Sequence, residues 1–158
     1  MSTQPEFDDV LGLQAAIDQA KKSASEGGVP IGGALVARVN GELKVLAASH
    51  NQRIQKGSAI LHGETAALEK AGRLKANVYR NSTMYTTLSP CDMCTGAILL
   101  YNIPRVVIGE NTTFLGGEEL LKSRGVEVIV VDNKECKAMM DKFISEHPEE
   151  WNEDIGEP

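Results

Sequence analysis

The chain has 158 residues, 42% hydrophobic and 24% charged, which suits one ordinary domain with its own core and excludes wholesale disorder. Its net charge is −6 and no apolar run reaches the length of a membrane span, so neither a nucleic-acid binder with the usual basic surface nor a membrane protein is expected. The excess charge is local: residues 145–158 carry Glu146, Glu149, Glu150, Glu153, Asp154 and Glu157 with no Lys or Arg, while residues 1–144 hold 16 acids and 16 bases.

The opening MSTQPEFDD lacks the basic and apolar segments of a secretory leader, so a cytoplasmic protein is expected, with nuclear presence also open. Three cysteines in such a chain do not suggest a disulfide framework. Phe7, Val10, Leu11, Ile17, Ala20 and Ala24 follow helical spacing, and Gly27-Gly28 ends that run. Ile31 to Val39 reads as a strand, Asn40-Gly41 as a two-residue hairpin turn, and Leu43 to Ala48 as the return strand. Gly32 and Gly33 mark a place in that first strand where backbone or ligand comes close.

Residues 51–58 form a polar loop, followed by a helix from His62 to about Gly72. Thr83 to Leu88 reads as a strand that Ser89-Pro90 breaks before a helix from about Cys91 to Tyr101. The β-branched runs Arg105–Gly109 and Val126–Val131 suit buried strands, with helices over Glu118–Ser123 and Glu135–Glu146. The order predicts a single α/β domain, 1–158, with a five-stranded mixed sheet covered by helices on both faces.

Two segments carry chemistry: His62-Gly63-Glu64 and Pro90-Cys91-Asp92-Met93-Cys94. A His two residues before a Glu arises by chance in many chains, and a lone CxxC fits half a structural zinc site, a redox pair or two buried thiols. Together they are more specific. One His and one CxxC supply three ligands with no second CxxC to close a structural site, and three ligands with an open fourth position are what catalytic zinc uses. Both segments start predicted helices, whose N-termini favour thiolates, and Glu64 stands two residues from the His, where it can take a proton from water.

His-x-Glu followed by Pro-Cys-x-x-Cys is a pattern of zinc-dependent deaminases. The chain resembles the cytidine and deoxycytidylate deaminase superfamily, and within it the fungal cytosine deaminases, through EGGVPIGG, KGSAILHGE, YTTLSPCDMCTGAI and WNEDIGE. The resemblance implies the superfamily's three-layer α/β/α fold, a homodimer, and one Zn²⁺ per chain on His62, Cys91 and Cys94. It makes Glu64 the proton shuttle. The base would be held by the Asn51 side chain, the Gly63 backbone N–H, the Ser89 carbonyl and Asp154, under an apolar cover of Phe114, Trp151 and Ile155. The implied reaction converts free cytosine and water to uracil and ammonia, with 5-fluorocytosine also accepted, in pyrimidine salvage. Asp154 lies in the acidic tail, so residues 145–158 would fold over the site, and the lone Trp151, which that tail cannot bury locally, would dock there.

Free cytosine carries an N–H at ring nitrogen 1 beside a carbonyl, an edge that the Asn51 amide matches bidentately; a nucleoside has lost that hydrogen. The expected partner is thus a small nucleobase and no nucleic acid. The rivals are tRNA adenosine deaminase, guanine deaminase and a structural zinc-binding interaction module. The first needs a surface for an RNA loop, and the last gives Glu64 no task. Outside the site, Cys136, Met93, Met139 and Met140 read as core residues, His50 as support for the Asn51 loop and His147 as a helix stop.

Overall fold

The computed structural model describes residues 7–158, beginning with Phe7 against the guanidinium of Arg105, 5.5 Å from the ring centre. Helix α1 (Asp9–Ser25) starts where the Asp8 carboxylate accepts the Leu11 N–H at 3.1 Å, an N-cap that satisfies one orphan donor. It buries Leu13, Ala16, Ile17 and Ala20, whereas Val10 is 82% exposed and Leu11 is also exposed. Of the expected stripe, Phe7, Ile17 and Ala20 are buried, whereas Val10, Leu11 and Ala24 face away from the sheet and Leu13 and Ala16 take inward positions.

Strands β1 (Gly32–Val39) and β2 (Glu42–His50) form the hairpin, with Asn40 and Gly41 at φ 51° and 81°. Two successive positive φ values are what a type I′ turn requires. The expected loop after β2 contains a single helical turn, α2 (Arg53–Lys56). Then come α3 (Gly63–Ala71), α4 (Ala76–Arg80), β3 (Ser82–Leu88), α5 (Asp92–Leu100), β4 (Arg105–Glu110), α6 (Glu118–Ser123), β5 (Glu127–Val130), α7 (Lys134–Glu146) and α8 (Pro148–Asp154). Neither α4 nor α8 follows from the hydrophobic periodicity.

Among the described residues the sheet has five strands in the order β2-β1-β3-β4-β5, with antiparallel pairing around β1 and parallel pairing from β3 to β5. Side chains alternate across it. Leu35, Met84, Val106 and Ile108 pack on one face with Ile98 and Leu121, while Ala34, Val36, Tyr85 and Val107 pack on the other with Leu13, Ile17 and Cys136. Helices cover both faces, so β1, β3 and β4 are largely buried on both sides. The edge strand β5 is only half-buried, and Val131 is exposed, which corrects the expectation of a fully buried strand there. Met140 is in the core, but Met93 lies on the exposed side of α5.

The glycines in β1 set the layer spacing. A Cβ on Gly32 would stand 1.9 Å from the Ala16 carbonyl oxygen of α1, and one on Gly33 would stand 2.5 Å from the Gly63 carbonyl oxygen of α3. The start of α3 is thereby seated directly on the sheet. No described helix is long and apolar enough to cross a membrane.

Candidate active site

His62 and Cys91 are the N-cap residues of α3 and α5, both with extended backbone, so two helix N-termini converge on one point. The His62 N–H donates to Thr65 Oγ1 at 2.8 Å, and Pro90 precedes Cys91 where the strand must stop. A ring nitrogen of His62 and the Sγ atoms of Cys91 and Cys94 lie within 4.8 Å of one another. His62 Nδ1 stands 3.3 Å from Cys91 Sγ, close to the roughly 3.5 Å that N and S ligands of a tetrahedral zinc ion keep. His62 and Cys94 are buried and Cys91 is partly exposed. One imidazole and two thiols, already gathered and largely shielded from solvent, fit zinc, and the set of three leaves one position for water or substrate.

The electrostatics suit a cation. Hydrogen bonding from Cys94, against the cost of burial and with help from His62, lowers the Cys91 thiol to about 4. The Cys91 sulfur in turn raises Cys94, and burial adds to that. Burial opposes a charged His62, yet the Asp154 carboxylate and Cys91 beside it outweigh burial and push the imidazole up to about 10. Glu64 lines the same cavity, and burial, then the negative sulfur of Cys91, raises its carboxyl to about 7. A carboxyl there can hold or release a proton near neutrality.

Ile31, Leu88, Ser89, Phe114, Trp151, Asp154 and Ile155 complete the cavity wall. The Phe114 and Trp151 rings meet edge-to-face with centroids 5.8 Å apart. Asn51 is wholly buried. Its Oδ1 accepts the Arg53 N–H at 2.8 Å and its Nδ2 donates to Asp154 Oδ2 at 3.1 Å, so one N–H and one lone pair of the amide remain free for a ligand. Asp154 Oδ1 is buried, 3.3 Å from His62 Nε2 but poorly aligned, and has no hydrogen-bond partner among the described residues. The sequence thus brings together Ser89, Phe114, Trp151 and Asp154 with His62, Glu64 and Cys91 around one cavity; Asn51 and Gly63 do not line it, and Asn51 meets it through its hydrogen bond to Asp154.

Sequence reasoning missed Arg53. Its guanidinium faces Glu153 at 3.0 Å, Glu150 at 3.6 Å and Asp154 at 4.0 Å, which ties α8 to the turn after Asn51. An acidic tail without a single base was a signal that a cation elsewhere must meet it. His50 supports the same turn, with Nδ1 2.9 Å from the Asn51 carbonyl oxygen and Nε2 3.3 Å from Glu26.

A family model of the cytidine and deoxycytidylate deaminase zinc-binding region matches residues 8–110. Cytosine deaminase of Candida albicans is 60% identical over 151 residues, covering 96% of this chain and 99% of that protein. A tRNA-specific adenosine deaminase of Bacillus subtilis is 34% identical over 148 residues, covering 87% and 89%. A structure solved in work on A-to-I editing by tRNA:A34 deaminases at the wobble position of transfer RNA superposes with a TM-score of 0.68 at 25% identity, over 82% of this chain and 99% of that one. Guanine deaminase from Nitrosomonas europaea, at 17% identity, shares the fold with a TM-score of 0.66 over 92% and 87%.

Proposed function

The chain belongs to the cytidine and deoxycytidylate deaminase family, and within it we propose that it is a cytosine deaminase, hydrolysing free cytosine to uracil and ammonia. The observation that carries this reading is the gathering of His62, Cys91 and Cys94 beside a buried Glu64 in a chain 60% identical to a curated cytosine deaminase. The whole chain is read as one deaminase domain in which residues 145–158 close over the site.

His62, Cys91 and Cys94 would hold the zinc ion, which would supply Lewis acidity that brings water within reach of deprotonation at neutral pH. Asp154 beside His62 Nε2 keeps Nδ1 turned to the metal, the usual arrangement for a metal-binding histidine. Glu64 takes one proton from the attacking water as its oxygen bonds to carbon 4 and passes that proton to ring nitrogen 3; it then takes the proton left on the carbon 4 hydroxyl and gives it to the amine, so that the C4–N bond breaks and uracil and ammonia are released. One carboxylate serves as base and then as acid. The free N–H and lone pair of Asn51 pair with the carbonyl and N–H at positions 2 and 1 of the base. The Ser89 carbonyl and the unpartnered Asp154 Oδ1 accept from the exocyclic amine. Phe114, Trp151 and Ile155 cover the ring and exclude water.

A homodimer belongs to the same reading. The outer side of α5 leaves Met93 and Leu100 exposed, Leu100 by 69%, beside exposed Tyr101, an apolar face suited to a second copy. The reaction places the protein in pyrimidine salvage in the cytoplasm, with a nucleobase and not a nucleic acid as partner. Glu64→Gln tests the chemistry: the variant retains one zinc per chain and loses turnover by about 10³-fold or more, since an amide cannot take the proton. Deamination near the wild-type rate would move the shuttle to another group.

A further inference from the structure

Two buried carboxylates have no part in the chemistry above. Glu110, 1% exposed, ends β4; its Oε2 accepts the backbone N–H groups of Thr112 at 2.7 Å and Thr113 at 3.0 Å, and its Oε1 accepts the Thr113 hydroxyl. Glu118, 4% exposed, opens α6; its Oε2 accepts Ser89 Oγ–H at 2.6 Å and its Oε1 accepts Asn111 Nδ2–H at 3.3 Å. Residues 111–117, with Phe114 at their centre, run between these two anchors.

Ser89 is the junction. Its hydroxyl donates to Glu118 and accepts the Gly116 N–H at 2.9 Å, while the Gly117 N–H donates to the Pro90 carbonyl at 2.9 Å. The two segments lie so close that a Cβ on Gly116 would stand 1.9 Å from the Pro90 carbonyl oxygen. A carboxylate taken out of water is retained only where it is well hydrogen-bonded, and bonds to a charged acceptor are the strong ones. Here the bonds run to the residue that precedes Pro90-Cys91 and to the loop that carries Phe114.

We infer that Glu118 is a positioning residue for base binding: through Ser89 it fixes the Ser89 carbonyl and the Phe114 ring at a set separation across the cavity. The inference rests on the cytosine deaminase reading, in which both groups touch the base. Glu118 acts on geometry and takes no proton in the reaction. Removing it slackens the wall that recognises the base while His62, Cys91 and Cys94 keep their ligand atoms in place.

Steady-state kinetics on cytosine with the zinc-loaded protein test this with Glu118→Ala, Glu118→Gln, Ser89→Ala and the double variant Ser89→Ala/Glu118→Ala. Glu118→Ala and Ser89→Ala each raise KM about tenfold, keep kcat within about threefold and keep one zinc per chain. The double variant is no worse than either single one, because both substitutions cut the same link. Glu118→Gln stays within about twofold of the wild-type KM, since its amide oxygen still accepts the Ser89 hydroxyl. If Glu118→Ala does not fold, Ser89→Ala against Glu118→Gln carries the comparison. A wild-type KM in Ser89→Ala or Glu118→Ala, or a KM in Glu118→Gln raised as far as in Ser89→Ala, would overturn the inference. A wild-type protein inert toward cytosine would overturn the reading beneath it, and the inference with it.

Discussion

Asn51 Nδ2 donates to Asp154 Oδ2 at 3.1 Å, joining the end of β2 to the C-terminal helix across 103 positions of sequence. Both groups are buried, and Asp154 also stands against the metal-binding His62. One carboxylate thus touches both Asn51, proposed to hold the base, and His62 of the candidate metal set.

Asp154→Ala leaves the Asn51 amide without its partner and removes the proposed acceptor for the exocyclic amine. Loss of hydrogen bonds to a charged acceptor at this depth lowers kcat/KM for cytosine by about 100-fold. Zinc affinity falls by about tenfold, the usual effect of removing a carboxylate that orients a metal-binding histidine. Competition with a chelator measures the second effect independently of activity. An unchanged chelator midpoint would show that His62 needs no such support.

Arg53→Gln loosens α8. The guanidinium faces three acids of that helix, and Glu150 and Glu153 are exposed enough for salt to screen them. Amide hydrogen exchange over residues 148–154 becomes faster in the variant, and KM for cytosine rises severalfold. High salt moves the wild-type protein in the same direction. Exchange in the variant identical to wild type would mean that the Trp151 contacts hold α8 without Arg53.

The start of α1 carries a separate ion pair with a pH signature. Arg105 donates to both oxygens of Asp9, at 2.6 and 2.7 Å, and the Tyr85 hydroxyl donates to Asp9 Oδ1 at 2.7 Å. The Arg105 hydrogen bond, against some burial, lowers the Asp9 carboxyl below its usual range. Because the folded-state value is the depressed one, the stabilisation is fully present above the unfolded value near 4 and is lost as pH falls through the lower folded value. The pair is partly exposed, so after screening it contributes on the order of 0.5–1 kcal/mol, or about 1–4 °C of Tm for a chain of this size. Asp9→Asn lowers Tm by that amount at pH 6, and the gap to wild type closes below about pH 4. A gap constant down to pH 3 would contradict the ion pair.

The hairpin and the central strands were legible because their signals are local. Asn40-Gly41 demands a primed turn, and β-branched runs such as Arg105–Gly109 have both faces covered. The gathering of His62, Cys91 and Cys94 was legible because two of them cap helices and the third lies in the first turn, within short motifs of fixed spacing. Helix α8 escaped because its stability is tertiary: a seven-residue segment rich in Glu stands only because Trp151 is buried and Arg53 meets its acids. Pro148 at the first helical position with Glu149 and Glu150 in the first turn was the available signal. Glu118 left none, since its partner Ser89 lies 29 positions away, and the acidic tail called for a cation without pointing to Arg53, 100 positions from Glu153.

The central claim is that the site takes a free base. Ammonia release by the zinc-loaded protein, measured separately on cytosine, cytidine and a tRNA anticodon loop, tests it most directly. A base with N–H at position 1 satisfies the remaining lone pair of the buried Asn51 amide, whereas a ribose there leaves it unpaired and meets the wall. Discrimination on the order of 10⁴ in kcat/KM is the scale of such a site. Turnover of cytosine with none detectable on cytidine or the RNA loop is the expected result; equal rates on cytosine and cytidine, or ammonia from the RNA loop alone, would contradict a free-base site.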